Sequence, residues 1–444
     1  MGDVNLWKLH RRAAAFATTG AGLDALRRAL DEGGDTPLEH ALAWALGQRH
    51  RRSAALTILA DMPFLPDLAA AGALRNLGRK GDGGEGNAWM VGFALEAAVD
   101  TLRRAPEVGG PLIEAIERWI ARLMARRDSE LGRIDVLRGR ALPTWGSGKK
   151  LTSRAGMPWT AVAARPGRLA YPLLRYVELG LRDAGPGAPS DEAVVAMCGD
   201  AVRCFDEDLV WHGAEANLRC LITDGPEVLN HTLSWARAVL VHAEVTGDAE
   251  GRRIAEGAAA FFRGCLVEEE TGLPAWAYRP SFEDRRHGFP SWIWKANHDL
   301  SFAAECHRRG LGFDDADMAR FARVFHEVVL ARGYVKATMS SRDPIALAER
   351  AVLDGNPGSA LCGWNVLSEA EPGIERSIAL AMAGNPHLVP GFWFSSPRAI
   401  GAYARRPDRA GLDPAFPQVA AAWRLEGHRD ARERSDPAPS RRTA

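Results

Sequence analysis

The sequence predicts an all-α protein whose antiparallel helical hairpins close into an (α/α) toroid. Three observations lead there. About a dozen stretches repeat apolar residues at helical spacing. No period-two run long enough for a strand exceeds about five residues. The connections differ in length and carry no repeated signature of fixed period, which favours a closed ring over an open solenoid.

The elements follow in order. A helix over 13–30 ends at Gly33 and Gly34, and the next, over 37–59, opens on Pro37, a residue suited to a first helical turn. Apolar periodicity then covers 88–104, 111–128, 168–183 and 191–205. Helices over 228–246 and 249–267 are separated only by Gly247 and Asp248. Gly247 suits a left-handed C-cap and Asp248 an N-cap, so these two form an antiparallel pair. Further helices are expected over 292–309, 315–333, 343–353 and 373–383. Periodicity fails in the glycine-rich loop 78–86 and over 133–168, where Trp145 and Trp159 supply apolar anchors. Residues 1–426 read as one domain, and 427–444, without apolar anchors, as a disordered tail.

Composition narrows the function. The 444 residues carry 56 basic and 56 acidic side chains, so no whole-chain positive field is offered to nucleic acid. No run of apolar residues is long enough to span a bilayer, and no apolar segment follows a basic one at the start. The six cysteines match no disulfide or zinc spacing and sit in apolar helical contexts. Reduced thiols and a cytoplasmic location are therefore expected.

Familiar cofactor and catalytic signatures are missing: there is no phosphate-binding loop, dinucleotide fingerprint, paired-histidine zinc motif or serine elbow. No cofactor is expected. The aspartates at 314, 315 and 317 precede a helix and read as caps rather than metal ligands.

The densest chemistry lies between Trp276 and Gly288. There Tyr278, Glu283, Asp284, Arg285 and His287 fall within a few positions of one another in an irregular loop. Loops carry proton-transfer and anion-binding groups more often than scaffold helices do. Asn230 and His231 open the 228–246 helix, where free amides attract anions. Fourteen tryptophans against five tyrosines add flat faces suited to sugar rings, with Trp211, Trp276 and Trp292 near helix ends.

These residues resemble a known group. The segment Asn230 to Asp248, closing in Thr246-Gly247-Asp248, is similar to the inner-to-outer hairpin of α/α-toroid carbohydrate-active proteins. Trp276-x-Tyr278 followed by Glu283-Asp284-x-x-His287-Gly288 resembles the W-x-Y … E-D-x-S-H loop of the same group, with Arg286 replacing the small polar residue. The segment from Trp159 to Leu174 resembles their W-x-V-H-x-G-x-I-x-Y-P motif but lacks its histidine. The group includes uronic-acid epimerases, polysaccharide lyases and glycoside hydrolases.

The resemblance implies an anionic saccharide or small glycoside as partner and abstraction of the C5 proton of a uronic acid, ending in elimination or epimerisation. Tyr278 or His287 would be the base, with Glu283 or Asp284 orienting the histidine. Asn230 and Arg285 would stabilise the enediolate, and Trp211, Trp276 and Trp292 would bind the sugar. Two alternatives stay open. One is glycoside hydrolysis through a carboxyl pair that recruits Asp224 or Asp299. The other is a non-catalytic helical scaffold.

Overall fold

The computed structural model describes residues 109–147, 159–183, 185–286, 293–329 and 364–371, together with 291, 374 and part of 91–103. The expected helices over 13–30, 37–59, 343–353 and 373–383, the loop 78–86 and the tail 427–444 lie outside this set, apart from Ile374.

Seven α-helices with defined bounds organise the described residues: α1 (Gly109–Met124), α2 (Ala164–Glu178), α3 (Asp191–Arg203), α4 (Leu229–Thr246), α5 (Ala249–Cys265), α6 (Ile293–Arg308) and α7 (Asp315–Val324). Between them lie seven strands: β1 (Ile134–Asp135), β2 (Arg140–Ala141), β3 (Leu209–His212), β4 (Glu215–Cys220), β5 (Gly225–Pro226), β6 (Val267–Glu268) and β7 (Pro274–Ala275). They form three small antiparallel sheets, ordered β1-β2, β3-β4-β5 and β6-β7.

The all-α toroid expectation is therefore corrected: the architecture is mixed α/β. The reason the strands escaped notice is physical. A strand shows period two only when it is long and one face is buried. These strands have two to six residues, and β4, the longest, has three consecutive buried positions, Ala216, Asn217 and Leu218. The described parts of 133–168, where helical periodicity fails, carry β1 and β2, the Ser147–Thr160 bridge and the start of α2.

Helix α4 is the hub. It packs on α2, α3, α5 and α6. Its apolar residues lie all round, and thirteen of its eighteen residues are buried. A helix apolar on every side belongs inside. Its partner α5 keeps Arg252, Arg253 and Glu256 outside and buries Ile254, Ala258, Phe261 and Phe262. The link is built as its residues predict. Gly247 caps α4 at φ 74°, and the Asp248 carboxylate accepts from the amides of Glu250 and Gly251. The aspartates before α7 also act as caps, Asp314 and Asp317 forming a reciprocal capping box.

The cysteines Cys198, Cys204, Cys220, Cys265 and Cys306 are free thiols. Burial pushes the Cys198, Cys265 and Cys306 thiols up, so they remain protonated. Among the described residues, no helix is long and apolar enough to cross a membrane.

Helices α2 and α4 approach closely at Gly167. A β-carbon there would stand 2.5 Å from the Ser234 carbonyl oxygen and 2.6 Å from the Trp235 Cα. Both are backbone atoms on a buried helix and cannot swing aside. Gly167→Ala should therefore destabilise the fold by roughly 1–3 kcal/mol, the usual cost of overpacking. The midpoint of urea unfolding should fall accordingly, and an unchanged midpoint would contradict the close approach.

Candidate functional site

Two polar groupings are built on the hub. The first crosses the interior between α2, α4 and α6. Arg237 of α4 donates to Glu96 at 2.8 Å, and Arg168 of α2 reaches the other Glu96 oxygen at 3.5 Å. The Arg237 guanidinium lies 3.4 Å from the Tyr171 ring centroid, and the Tyr171 hydroxyl donates to Glu305 of α6 at 2.8 Å. Glu305 also pairs with Arg308 and Arg309. Burial pushes the Glu305 carboxyl up, but these arginines and Arg237 outweigh it and hold the group well below the usual range. Arg168 also reaches the His298 ring, 2.8 Å from Nε2. Burial and the charges of Arg168 and Arg237 drive His298 well below its ordinary value, so it is a neutral acceptor.

The second grouping lies where α4 and α6 begin. The Tyr278 carbonyl accepts from the Leu229 amide at 3.0 Å, which pins the 276–286 loop to the start of α4. Tyr278, Arg279, His231 and Lys295 are half-buried here, and Glu227 is buried. The Lys295 ammonium donates to the Tyr278 hydroxyl and lies 3.8 Å from its ring centroid. Burial brings Lys295 down to about 8, with Arg279 lowering it further against the pull of Asp299. Burial and the nearby Glu227 charge push the Tyr278 hydroxyl up. His231 Nδ1 sits 3.2 Å from Glu227 Oε1. Burial pushes the Glu227 carboxyl up, but His231, the Val228 amide and Arg279 outweigh this and hold it below the usual range.

Behind this surface, the Asp299 carboxylate accepts from the Trp276 indole at 2.8 Å and from the Ser291 hydroxyl at 3.5 Å. Burial drives Asp299 well above the ordinary carboxylate value. Asp299, pushed up by burial, thus stands inside, while Glu227, held down by His231 and the Val228 amide, stands nearer the surface. Opposed environments of this kind separate acid from base roles.

The expected site residues divide. Tyr278 takes its place in the second grouping. Asn230 is buried in the first turn of α4, and its Oδ1 has no partner among the described residues. It is not a helix cap, because that position belongs to Val228. Trp276 is a core residue, 2% exposed and edge-on to Phe262 and Phe321, so neither ring face is open to a sugar. Trp211 on β3 is half-buried with the Arg253 guanidinium 4.0 Å from its ring.

Glu283 and Asp284 are exposed. Asp284 shapes a local turn, accepting from the Arg286 amide at 3.0 Å through its carboxylate and from the Ser281 amide at 2.9 Å through its carbonyl. Arg285 turns to Glu215 and packs over Phe261 and Phe282. The dense loop therefore splits: Tyr278 faces the α4 and α6 starts, whereas Arg285 faces β4 and α5. His287 and Trp292 lie outside the described residues.

Glu227, Arg279 and Lys295 were not singled out by sequence. Two carry a usable signal: Glu227 precedes His231 by four positions, and Lys295 precedes Asp299 by four, the spacing of one helical face. Arg237 was also legible as the lone charge in the apolar run from Leu233 to Val241.

Among the described residues, no group of three or more His, Cys, Asp or Glu is arranged to hold a metal. No family model, curated protein or solved structure matches this chain.

The interior grouping sets an acid limit on stability. Glu305 is depressed in the folded state, so its contribution is fully present above the unfolded carboxylate value and lost as pH falls below it. Glu305→Gln should cost about 1–3 kcal/mol near neutrality by removing the buried carboxylate that Tyr171, Arg308 and Arg309 bond to. It should also flatten the acid limb of a stability-against-pH curve. A variant with the parent's acid limb would refute this role.

Proposed function

We propose that this chain is an enzyme that abstracts the C5 proton of a uronic acid residue in an anionic saccharide. The observation that carries the proton chemistry is the Lys295–Tyr278 contact at a half-buried surface, with the Lys295 value brought down to about 8. The saccharide part of the reading rests on the resemblance carried by Asn230–Asp248 and Trp276–Gly288.

The roles follow from the groups. Arg279 faces the substrate carboxylate and takes up the charge that grows there as C5 loses its proton. The Tyr278 oxygen receives the C5 proton while its own hydroxyl proton passes to neutral Lys295, so the net proton rests on the amine. Returned through Tyr278 to the departing glycosidic oxygen, it completes a β-elimination. His231, with one ring nitrogen held by Glu227, is a second proton carrier, and delivery from it to C5 gives the epimer. Glycoside hydrolysis is the second reading, favoured by the opposite shifts of two carboxyls, Asp299 raised and Glu227 lowered.

The test uses a panel of uronic-acid oligosaccharides in deuterated water, followed by ultraviolet absorbance and mass. An unsaturated chromophore indicates elimination, and deuterium at C5 without cleavage indicates epimerisation. New reducing ends with neither signal support the hydrolytic reading instead. Tyr278→Phe and Lys295→Met should each lower turnover by about a hundredfold or more, the scale of lost acid–base catalysis. Because Lys295 must be neutral to accept the proton, the rate should climb as pH rises through about 8 and then level off. Lys295→Met should also be more stable than the parent at pH 7. A lysine depressed in the folded state favours unfolding once pH drops below its unfolded value. No product across the panel, or full activity in both variants, would remove the proposal.

A further inference from the structure

A cleft opens toward the other end of α2 and α6. Lys295 lies in the first turn of α6 and Arg308 in its last, about 20 Å further on at 1.5 Å per residue. This cleft has a volume of about 160 Å³, and Tyr171 and Pro172 of α2 form part of its wall. Its charged lining is balanced: Arg103, Arg175 and Arg308 face Glu96, Asp100 and Glu369.

The lining is organised and retains bonding capacity. Arg103 donates to Asp100 at 3.1 Å and to Glu369 at 3.3 Å, both through Nη2. Arg308 reaches Glu369 at 3.1 Å through Nη1 and Glu305 through Nη2. A guanidinium has five N–H donors, so each arginine has donors beyond these contacts. Directly behind the wall stands Arg237, bonded to Glu96 and stacked on Tyr171, both of which line the cleft. Its side chain is 4% exposed, and its Nε and Nη2 atoms have no partner among the described residues. These donors are sealed behind Glu96 and Tyr171, so Arg237 acts on the cleft through its charge, while the rim arginines offer the direct bonds.

The charge pattern selects the ligand. A simple anion would meet three carboxylates, and a simple cation three arginines. An apolar molecule would strip water from all six charges without replacing it. A molecule with both charges matches both sets, its carboxylate toward the arginines and its ammonium toward Glu96, Asp100 or Glu369.

We propose that this cleft is a binding site for a small zwitterion of the α-amino-acid class. The site is separate from the Tyr278–Lys295 grouping and does not depend on the reaction proposed there.

The test is calorimetric titration of the full chain with glycine, serine, aspartate and arginine. Succinate, putrescine and glucose serve as comparators carrying one charge sign or none. At least one amino acid should bind saturably and more tightly than every comparator. Arg103→Gln and Glu369→Gln alter partly exposed side chains at the rim. Each should weaken that binding about tenfold, the worth of one charge-assisted hydrogen bond. Thermal unfolding of the unliganded variants checks that both are folded, and Arg175→Gln replaces either one that is not. Absence of saturable binding by all four amino acids overturns the proposal. So does equal binding by succinate or putrescine, or undiminished binding in the folded rim variants.

Discussion

Buried arginines at the meeting of α2, α4 and α6 constrain everything around them. Removing a guanidinium from water costs several kcal/mol unless carboxylates and acceptors replace the lost hydration. Arg168 and Arg237 share Glu96, and Arg308 and Arg309 share Glu305. Tyr171 joins the two sets, stacked beneath Arg237 and donating to Glu305. A slide of one helix turn, about 5.4 Å, would strand several charges at once. Apolar packing alone tolerates such a shift better, because one leucine replaces another at modest cost. The ionic interior thus specifies register, while the apolar faces of α4 supply the bulk of the burial.

That register determines what the helix beginnings can present. With α4 and α6 held, the loop after β7 is fixed twice where it begins. The Trp276 indole is bonded to Asp299, and the Tyr278 carbonyl to the first turn of α4. Between these anchors the Tyr278 ring has little choice but to face Lys295. The low affinity of Lys295 for its proton follows from the same placement, since the half-buried ammonium has lost much of its water. Chemical poise here is a product of scaffold rigidity, with the two linked through a handful of hydrogen bonds.

The helices were legible because they are long. Residues 191–203, 229–246 and 249–265 each give several turns of repeating apolar positions, and the Gly247-Asp248 punctuation is local chemistry. The sheets were not legible, because β1, β2, β5, β6 and β7 have two residues each and no period can be read from two. The site was half legible. Crowding of polar residues marks a loop, yet it does not say which way each side chain turns. Glu283, Asp284 and Arg285 are sequence neighbours of Tyr278 but serve a solvent turn and a Glu215 pair. Glu227 and Lys295, distant in sequence, reach Tyr278 only through the packing of α4 on α6. Trp276 shows the same limit, for an indole near a helix end reads as a sugar platform until its neighbours Phe262 and Phe321 are known.

The free thiols offer a built-in clock. Cys198, Cys265 and Cys306 lie on α3, α5 and α6, each sealed from solvent and kept in the unreactive protonated form. An alkylating reagent can reach them only when the helix concerned parts from its neighbours. Labelling rates at the three positions, resolved by peptide mass, therefore record how often each helix detaches. The chain carries its own reporters of breathing motion, spread over three helices.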